Sequence, residues 1–387
     1  MKIAIYYNLA YGGAKRSVQS HVKGLKELGH AVDVFTHDNQ KDEFSPGRFA
    51  GTEYLYPFAV TKIPLPIIGR VVQDFQVFYK LKQLHKKIAA EIDAKSYDIV
   101  LVHTDTFTQS PFILRFLTSR NVYYCLEPLR IVYEYSLRPS QYLGLFNKLY
   151  ENITRSIRKT IDRKNARSAM ETLTLSLFGR EYMIHAYNLY PRISYLGVDE
   201  TLFKPQRTKK KNQVLFVAEP EYIYGYDLAK EALELIPEDI RPELKMVFGT
   251  KKSRRISDAE LVESYNESLV TLSLSRYDTF GLVPLESMSC GTPVIALNVA
   301  GYRETMRNRK TGYLVEFDPQ EIAKRIIYLI NHPDRAAQLG ENGRKWVEES
   351  WTWKKQIPQL EKLLMKAANI PYIELTNPSS DEDDMEL

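Results

Sequence analysis

Short apolar runs recur along the chain, each followed by an amphipathic stretch of helical period, and this alternation restricts the fold more than any other feature. A strand buried on both faces reads as a continuous apolar run, and its parallel neighbour is reached through a crossover that is usually a helix. An α/β architecture follows. Lys2–Tyr7 is the first such run. After the turn Tyr11-Gly12-Gly13, a helix places Val18, Val22, Leu25 and Leu28 on one face until Gly29 ends it, and Ala31–Thr36 is the second strand. Tyr97–Val102, Asn121–Cys125, Glu171–Ser176 and Ile193–Leu196 continue the series, with a helix expected at Pro111–Leu117. The pattern breaks at the polar, basic run Lys204–Asn212, which reads as a linker. It restarts with strands at Val214–Val217, Leu244–Phe248, Leu269–Leu274, Pro293–Leu297 and Gly312–Val315, and with helices at Asp227–Leu235, Asp258–Glu267 and Gly281–Ser289. Two doubly wound domains facing one another across a cleft are the expected result.

Composition narrows the class. With 387 residues, 44% hydrophobic and 26% charged, the chain is too long for a single small module and too apolar for a disordered or collagen-like one. No run approaches the roughly 18 apolar residues of a membrane span, and Met1–Tyr7 reads as a strand rather than a signal peptide, so a cytoplasmic location is expected. Cys125 and Cys290 have neither a CxxC neighbour nor a His at ligand spacing, which argues against a disulfide framework and structural zinc. The net charge of +5 divides unevenly, +8 over residues 1–200 and −3 over 201–387. Its densest stretch, Lys148 to Arg167, suits acidic lipid or nucleic acid as well as it suits an ordinary solvated helix face. Ile63–Phe75 combines apolar residues with Arg70, and packs a core or meets lipid equally well. No repeat of solenoid period occurs, and the acidic end 371–387 is expected to be disordered.

The segment Ser275 to Ala296 carries the most chemistry. It follows a strand, turns at Phe280-Gly281, opens a helix with Pro284 in the first turn and closes it at Gly291. In open α/β sheets ligands bind at the carboxyl ends of strands, and unpaired amides with the helix dipole suit phosphate there. Asp278 and Glu286 flank the turn with seven residues between them. Carboxylates accept paired hydrogen bonds from vicinal hydroxyls, so one acid on a ribose and one on a sugar beside a shared diphosphate is chemically sensible. A surface Asp and a helix-dipole Glu are the ordinary alternative.

This segment resembles the signature of the retaining glycosyltransferases of family four: an acid, seven residues and a Glu around an FGL turn, then Cys290-Gly291-Thr292-Pro293-Val294. Ala300-Gly301-Tyr302-Arg303-Glu304 is similar to the family's GGxxE loop, Lys310–Val315 to its TG-hydrophobic strand and Trp351-Thr352-Trp353 to its final aromatic motif. Upstream, Tyr11–Ala14 resembles its GGA loop, Leu28–Val32 its LxxxGHxV turn and Gly197–Phe203 its linker entry. The resemblance covers most of residues 1–370 and rests on the shared order of motifs that are each short. It implies the GT-B fold: a Rossmann-like acceptor-binding domain over 1–203, a Rossmann-like nucleotide-sugar-binding domain over 204–355, and a helix over 356–370 crossing back. It also implies that Glu286 holds the ribose and that Asp278 contacts the transferred sugar. The amides of Phe280, Gly281 and Leu282 would then cradle the diphosphate, Gly12 and Gly13 would approach it from the facing domain, and Gly301 and Glu304 would lie on the donor side. The family needs no cofactor and no metal, and its retention is explained by front-face departure and attack with no side-chain nucleophile.

Three departures stand out. The leading acid is usually Glu and here is Asp278. The loop Ala218–Gly225 lacks the Arg and Lys the family often carries, which leaves Lys251 and Arg254, after the strand at 244–248, as the nearest basic donor-side candidates. Leu126 stands where a His commonly follows the strand Asn121–Cys125, so Glu127 and Arg130, with His103, are the acceptor-side candidates. The leading expectation is transfer of a sugar from a nucleotide-diphosphate donor to a hydroxyl of a glycan, lipid-linked sugar or small metabolite. Peripheral contact with an anionic membrane at the inner face would run through the basic first half. A non-catalytic sugar-nucleotide or glycan binder is the alternative, an epimerase on the same fold is a weaker one, and no motif supports nucleic-acid binding.

Overall fold

A computed structural model describes residues 1–37, 42–61, 63–64, 66–134, 145–247 and 256–371. The first strand, β1 (Lys2–Asn8), buries six of its seven side chains, as a strand covered on both faces must. It is followed by α1 (Gly13–Glu27), β2 (Ala31–Thr36), β3 (Glu53–Leu55), α2 (Pro66–Phe75), a π-helical segment at Gln76–Leu81, α3 (Lys82–Ala94), β4 (Ile99–Asp105), β5 (Asn121–Cys125), α4 (Arg130–Tyr133), α5 (Leu145–Ala166), β6 (Glu171–Thr174), α6 (Leu177–Tyr187) and β7 (Arg192–Ile193). These strands form one parallel sheet in the order β3-β2-β1-β4-β5-β6-β7.

The second sheet is built by β8 (Gln213–Phe216), α7 (Tyr226–Glu234), β9 (Glu243–Met246), α8 (Asp258–Glu267), β10 (Val270–Ser273), α9 (Leu282–Ser289), β11 (Val294–Leu297), α10 (Tyr302–Thr305) and β12 (Gly312–Val315). It is parallel too, in the order β12-β11-β10-β8-β9. Then α11 (Pro319–Asn331), α12 (Pro333–Ser350) and α13 (Trp353–Ala368) follow. In each sheet the strand order reverses once, between β1 and β4 and between β8 and β10, which creates a crevice beyond the strand ends.

One core cluster fills a face of the first sheet with Ile3, Ile5, Val18 and Leu25 and continues through Val198 and Phe203 into the second domain at Leu215 and Leu272. Helix α13 crosses back to pack on α1, β4 and β5. Its Ile357 sits over Gly24, where a Cβ would come within 2.5 Å of the isoleucine side chain. A second cluster, with Ala4, Tyr6, Ile88, Val100 and Tyr123, covers the opposite face of the first sheet.

Some elements depart from the sequence reading. Pro111–Leu117 is a single 3₁₀ turn at Phe112–Arg115, because Pro111 is extended and too few residues follow it to nucleate a helix. The strand expected at Ile193–Leu196 shortens to Arg192–Ile193, since the chain then bends so that Val198 bridges to Thr352. Helix α13 spans Trp353–Ala368, beginning before residue 356, and holds Pro358 inside it. Strand β9 ends at Met246, and Phe248 and residues 372–387 of the acidic end lie outside the described residues.

Candidate active site

A cavity of about 500 Å³ opens at the switch point of the second sheet. The chain just beyond β8 (Val217, Ala218) and β10 (Leu274, Ser275) forms its floor, and Asp278 and Tyr302 stand at its side. The first domain closes it with Gly13, Glu127 and Arg130. Gly13 opens α1 and Leu282 opens α9, and a Cβ on Gly13 would lie 3.3 Å from Leu282 Cδ1. Two helix N-termini from opposite domains therefore meet at one point, each with unpaired amides and a positive dipole end. Gly12 sits at φ 145° with open space where a Cβ would go, a backbone conformation that favours glycine.

The turn before α9 is held by Asp278. Its Oδ1 accepts from the amides of Phe280 at 3.0 Å and Gly281 at 2.8 Å, and its carbonyl accepts from Gly301 N at 3.0 Å. Those two amides, expected to cradle a diphosphate, are already engaged, so an anion is left with the helix amides from Leu282 onward. Gly281 takes φ 99°, and Gly301 packs so closely that a Cβ would fall 2.5 Å from Phe280 Cα. Gly301 thus shapes the turn from behind instead of facing a donor. The Tyr302 hydroxyl faces the Asp278 carboxylate from the same loop.

Glu127 and Arg130 come together with Asp278. Arg130 pairs with Glu127 at 2.6 Å and donates across the cleft to the Tyr277 carbonyl. Burial raises the Glu127 carboxyl above its ordinary value, with Asp278 and Glu134 adding to the effect and Arg130 opposing it. Arg130 is the only Lys or Arg among the described residues that line this cavity. Lys251 and Arg254 lie outside the described residues.

Glu286 occupies a different place. It is 6% exposed, and its two oxygens accept from Arg16 at 2.7 Å and from the Tyr265 hydroxyl at 2.9 Å. Arg16 also pairs with Asp258. Arg16, Asp258 and Glu286 line a second cavity of about 570 Å³, between α1 and the segment 197–203. Burial raises the Glu286 carboxyl, while Arg16 and Tyr265 oppose the shift. Arg16 and Tyr265 escaped the sequence reading. Arg16 lies one helical turn beyond Gly13 and so points toward whatever the glycine loop faces, but its partner is 270 residues away.

Two further candidates are placed elsewhere. Glu304 accepts from the amides of Leu177 and Phe178 at 2.8 and 3.1 Å and from the Tyr195 hydroxyl at 3.1 Å, so it caps α6 of the first domain instead of reaching a donor. His103 is fully buried within β4, stacked on His21 and tilted against Tyr124, because the strand runs on to Asp105. Burial, and then His21, hold its pKa well below the usual histidine value, which makes it a neutral core residue rather than an acceptor ligand.

Residues 11–202 match the Glycosyltransferase Family 4 family and residues 250–346 match Glycosyl transferases group 1. The chain belongs to these family-four glycosyltransferases. The alpha-1,3/1,6-mannosyltransferase ALG2 of Rhizomucor pusillus is 22% identical over 426 residues, spanning 94% of this chain and 90% of its own. N-acetyl-alpha-D-glucosaminyl L-malate synthase of Bacillus anthracis is 37% identical over 129 residues, 31% of this chain and 34% of that one. Among solved structures, sucrose-phosphate synthase from Thermosynechococcus elongatus superposes with a TM-score of 0.72 at 19% identity, covering 94% of this chain and 98% of that chain. Anabaena HepE, in complex with UDP and glucose, gives 0.66 at 15% identity, covering 94% and 99%. The fold is GT-B, and the family's reaction is the transfer of a glycosyl group from a sugar donor.

Proposed function

We propose that the enzyme transfers a hexose-type sugar with retained anomeric configuration in the cavity between Asp278 and Arg130, without a metal at the reaction centre. One observation carries this reading. Two helix N-termini and Arg130 converge beside Asp278 at the switch point, so positive potential for a diphosphate and a carboxylate for sugar hydroxyls share one cavity. In the transfer, the sugar C1–O bond to phosphate breaks while a bond to the acceptor oxygen forms on the same face. The acceptor proton passes to the departing phosphate oxygen, so no side-chain nucleophile is required. Arg130 and the helix amides from Leu282 onward supply the charge stabilisation that a metal would give elsewhere. Arg130 also takes the place of the basic pair missing from Ala218–Gly225, the gap that suggested a non-catalytic binder.

The test is calorimetry of nucleotide diphosphates and their sugars in chelator, followed by NMR of the product's anomeric proton. Binding of one nucleotide series and a retained product are expected. Absence of nucleotide binding, or an inverted product, overturns the reading.

A lipid-linked acceptor fits best, because the first domain carries an apolar surface that none of the described residues covers. Ile68, Val71, Phe75 and Tyr79 are each about half exposed at helical spacing along α2 and the π segment, and Leu149, Ile153 and Ile157 repeat the pattern on α5. The two helices lie side by side, joined by Tyr150 and Arg158 to Asp74 at 2.5 and 2.6 Å. Exposed Lys159 and Lys164 on α5, with Arg167 just beyond its end, supply charge for anionic headgroups. No helix among the described residues is long and apolar enough to cross a membrane. Flotation with anionic vesicles, lost in Ile68→Glu/Ile153→Glu and weakened by salt, is expected. Unchanged flotation of that variant removes the membrane contact.

A further inference from the structure

Outside the cleft, the crevice beyond β1, β2 and β4 gathers three side chains that no sequence motif links. They are His37 just after β2, His85 from α3 and Asp105 at the end of β4, all buried. Their ligating atoms all lie within 4.8 Å of one another, and the two Nε2 atoms are 2.9 Å apart. We propose that this cluster is a binding site for one divalent transition-metal ion, zinc by the chemistry of its donors, which pins α3 to the ends of the three strands.

The surroundings are arranged as those of a ligand set. His37 Nδ1 lies 2.6 Å from the Tyr56 carbonyl, which can only accept, so Nδ1 carries the hydrogen and Nε2 turns its lone pair inward. Asp105 Oδ1 is held by the amides of Phe107 at 2.7 Å and Thr108 at 3.1 Å, which leaves Oδ2 facing the histidines. Asn8 Nδ2 donates to that Oδ2 at 2.9 Å. The Tyr6 hydroxyl lies 2.7 Å from His85 Nε2 and 2.9 Å from Asp105 Oδ2, where it serves as a fourth donor or holds the carboxylate. Among the described residues His85 Nδ1 has no hydrogen-bond partner, and without an ion the hydrogen sits on His85 Nε2, toward the His37 lone pair and the Tyr6 oxygen, so ligation through Nε2 moves that hydrogen to the open Nδ1.

Charge supplies the second argument. Asp105 is fully buried, and no Lys or Arg pairs with it among the described residues. Its hydrogen bonds leave a buried negative charge without a counter-charge, and a dication between it and two imidazoles supplies one. Two imidazoles and one carboxylate suit zinc, with the Tyr6 oxygen or a water completing a tetrahedron. Nitrogens of a tetrahedral zinc site stand roughly 3.3 Å apart, so a small adjustment of the two rings seats the ion. These residues do not line the Asp278 cavity, and the proposal does not depend on the proposed reaction.

The test uses the untagged full chain, stripped with chelator and then titrated with Zn²⁺ by calorimetry and with Co²⁺ by visible absorption. One ion per chain, a Co²⁺ spectrum of tetrahedral intensity and a melting temperature several degrees higher with Zn²⁺ are expected. His85→Gln and Asp105→Asn should each lose the Co²⁺ spectrum while keeping nucleotide binding, which reports an intact fold. Absence of saturable binding by the unmodified chain overturns the proposal, whatever the variants do. So does a Co²⁺ spectrum that persists in both folded variants, since the ion would then sit elsewhere.

Discussion

Asp278 serves two ends with two oxygens. Oδ1 ties down the amides of Phe280 and Gly281, while the carboxylate also faces the Tyr302 hydroxyl and lines the cavity. Asp278→Asn keeps an oxygen for the two amides and removes the charge. Activity should therefore fall on the order of 100-fold while the melting temperature stays within about 2 °C, because only the contact to the sugar is weakened. Steady-state kinetics beside a melting curve separate that outcome from a merely structural role, which would lower both together. Arg130 calls for the complementary variant. Arg130→Ala removes the single described cation of the cavity and should lower kcat by a factor on the order of 100 to 1,000, the usual loss when one charge-stabilising donor is removed. Arg130→Lys should recover only part of it, because the ammonium cannot reproduce the fork that spans Glu127 and the Tyr277 carbonyl. Full activity in Arg130→Ala would place the compensating cation elsewhere.

At the level of elements, what was legible in the sequence was local. The Asp278–Gly281 turn and its helix could be read because a strand, a positive-φ glycine and a first-turn proline are neighbours in the chain. In the sequence, helix α5 is legible only as a basic cluster, because its apolar residues divide between a packed face and the exposed Leu149, Ile153 and Ile157, which blurs a single stripe. What seats α5 is polar and distant: Asp162 accepts from Ser110 N at 3.0 Å and from the Tyr187 hydroxyl at 2.8 Å. Burial above all holds this carboxyl up, to about 6. The native value lies above the ordinary 3.8, so the folded state holds this proton more tightly than the unfolded chain. Its contribution to stability is complete below about pH 4 and is lost as the pH rises through about 6, in all roughly 3 kcal/mol. Asp162→Asn should flatten the dependence of melting temperature on pH between 4 and 7, and a slope identical to the parent's would disprove the assignment. The loop behind the turn is as demanding. Gly301→Ala drives a methyl into the Phe280 backbone and should cost about 1–3 kcal/mol in denaturant unfolding together with most of the donor affinity. Intact donor affinity in a folded Gly301→Ala would show that the turn tolerates displacement.

Across the whole molecule, contacts at very long sequence separation hold the cleft, and periodicity says nothing about them. Glu304 caps α6 from the opposite domain, and Arg16 reaches over to Glu286 and Asp258. If Glu286 is the ribose ligand, as the family resemblance implies, Arg16 already holds one oxygen of the carboxylate that the nucleotide needs. Donor entry must then exchange one partner of that carboxylate for another. Arg16→Ala should widen the unliganded molecule, seen as a larger radius of gyration in solution scattering, and saturating donor should narrow the difference. Glu286→Gln weakens the same ion pair and should widen the molecule as well, but with loss of ribose-dependent affinity, measured as the difference in binding between a nucleoside diphosphate and its 2′,3′-dideoxy analogue. The two variants thus separate a latch from a ligand. Equal radii in parent and Arg16→Ala would mean that the ion pair does not hold the domains together, and an unchanged dideoxy difference in Glu286→Gln would move the ribose to another carboxylate.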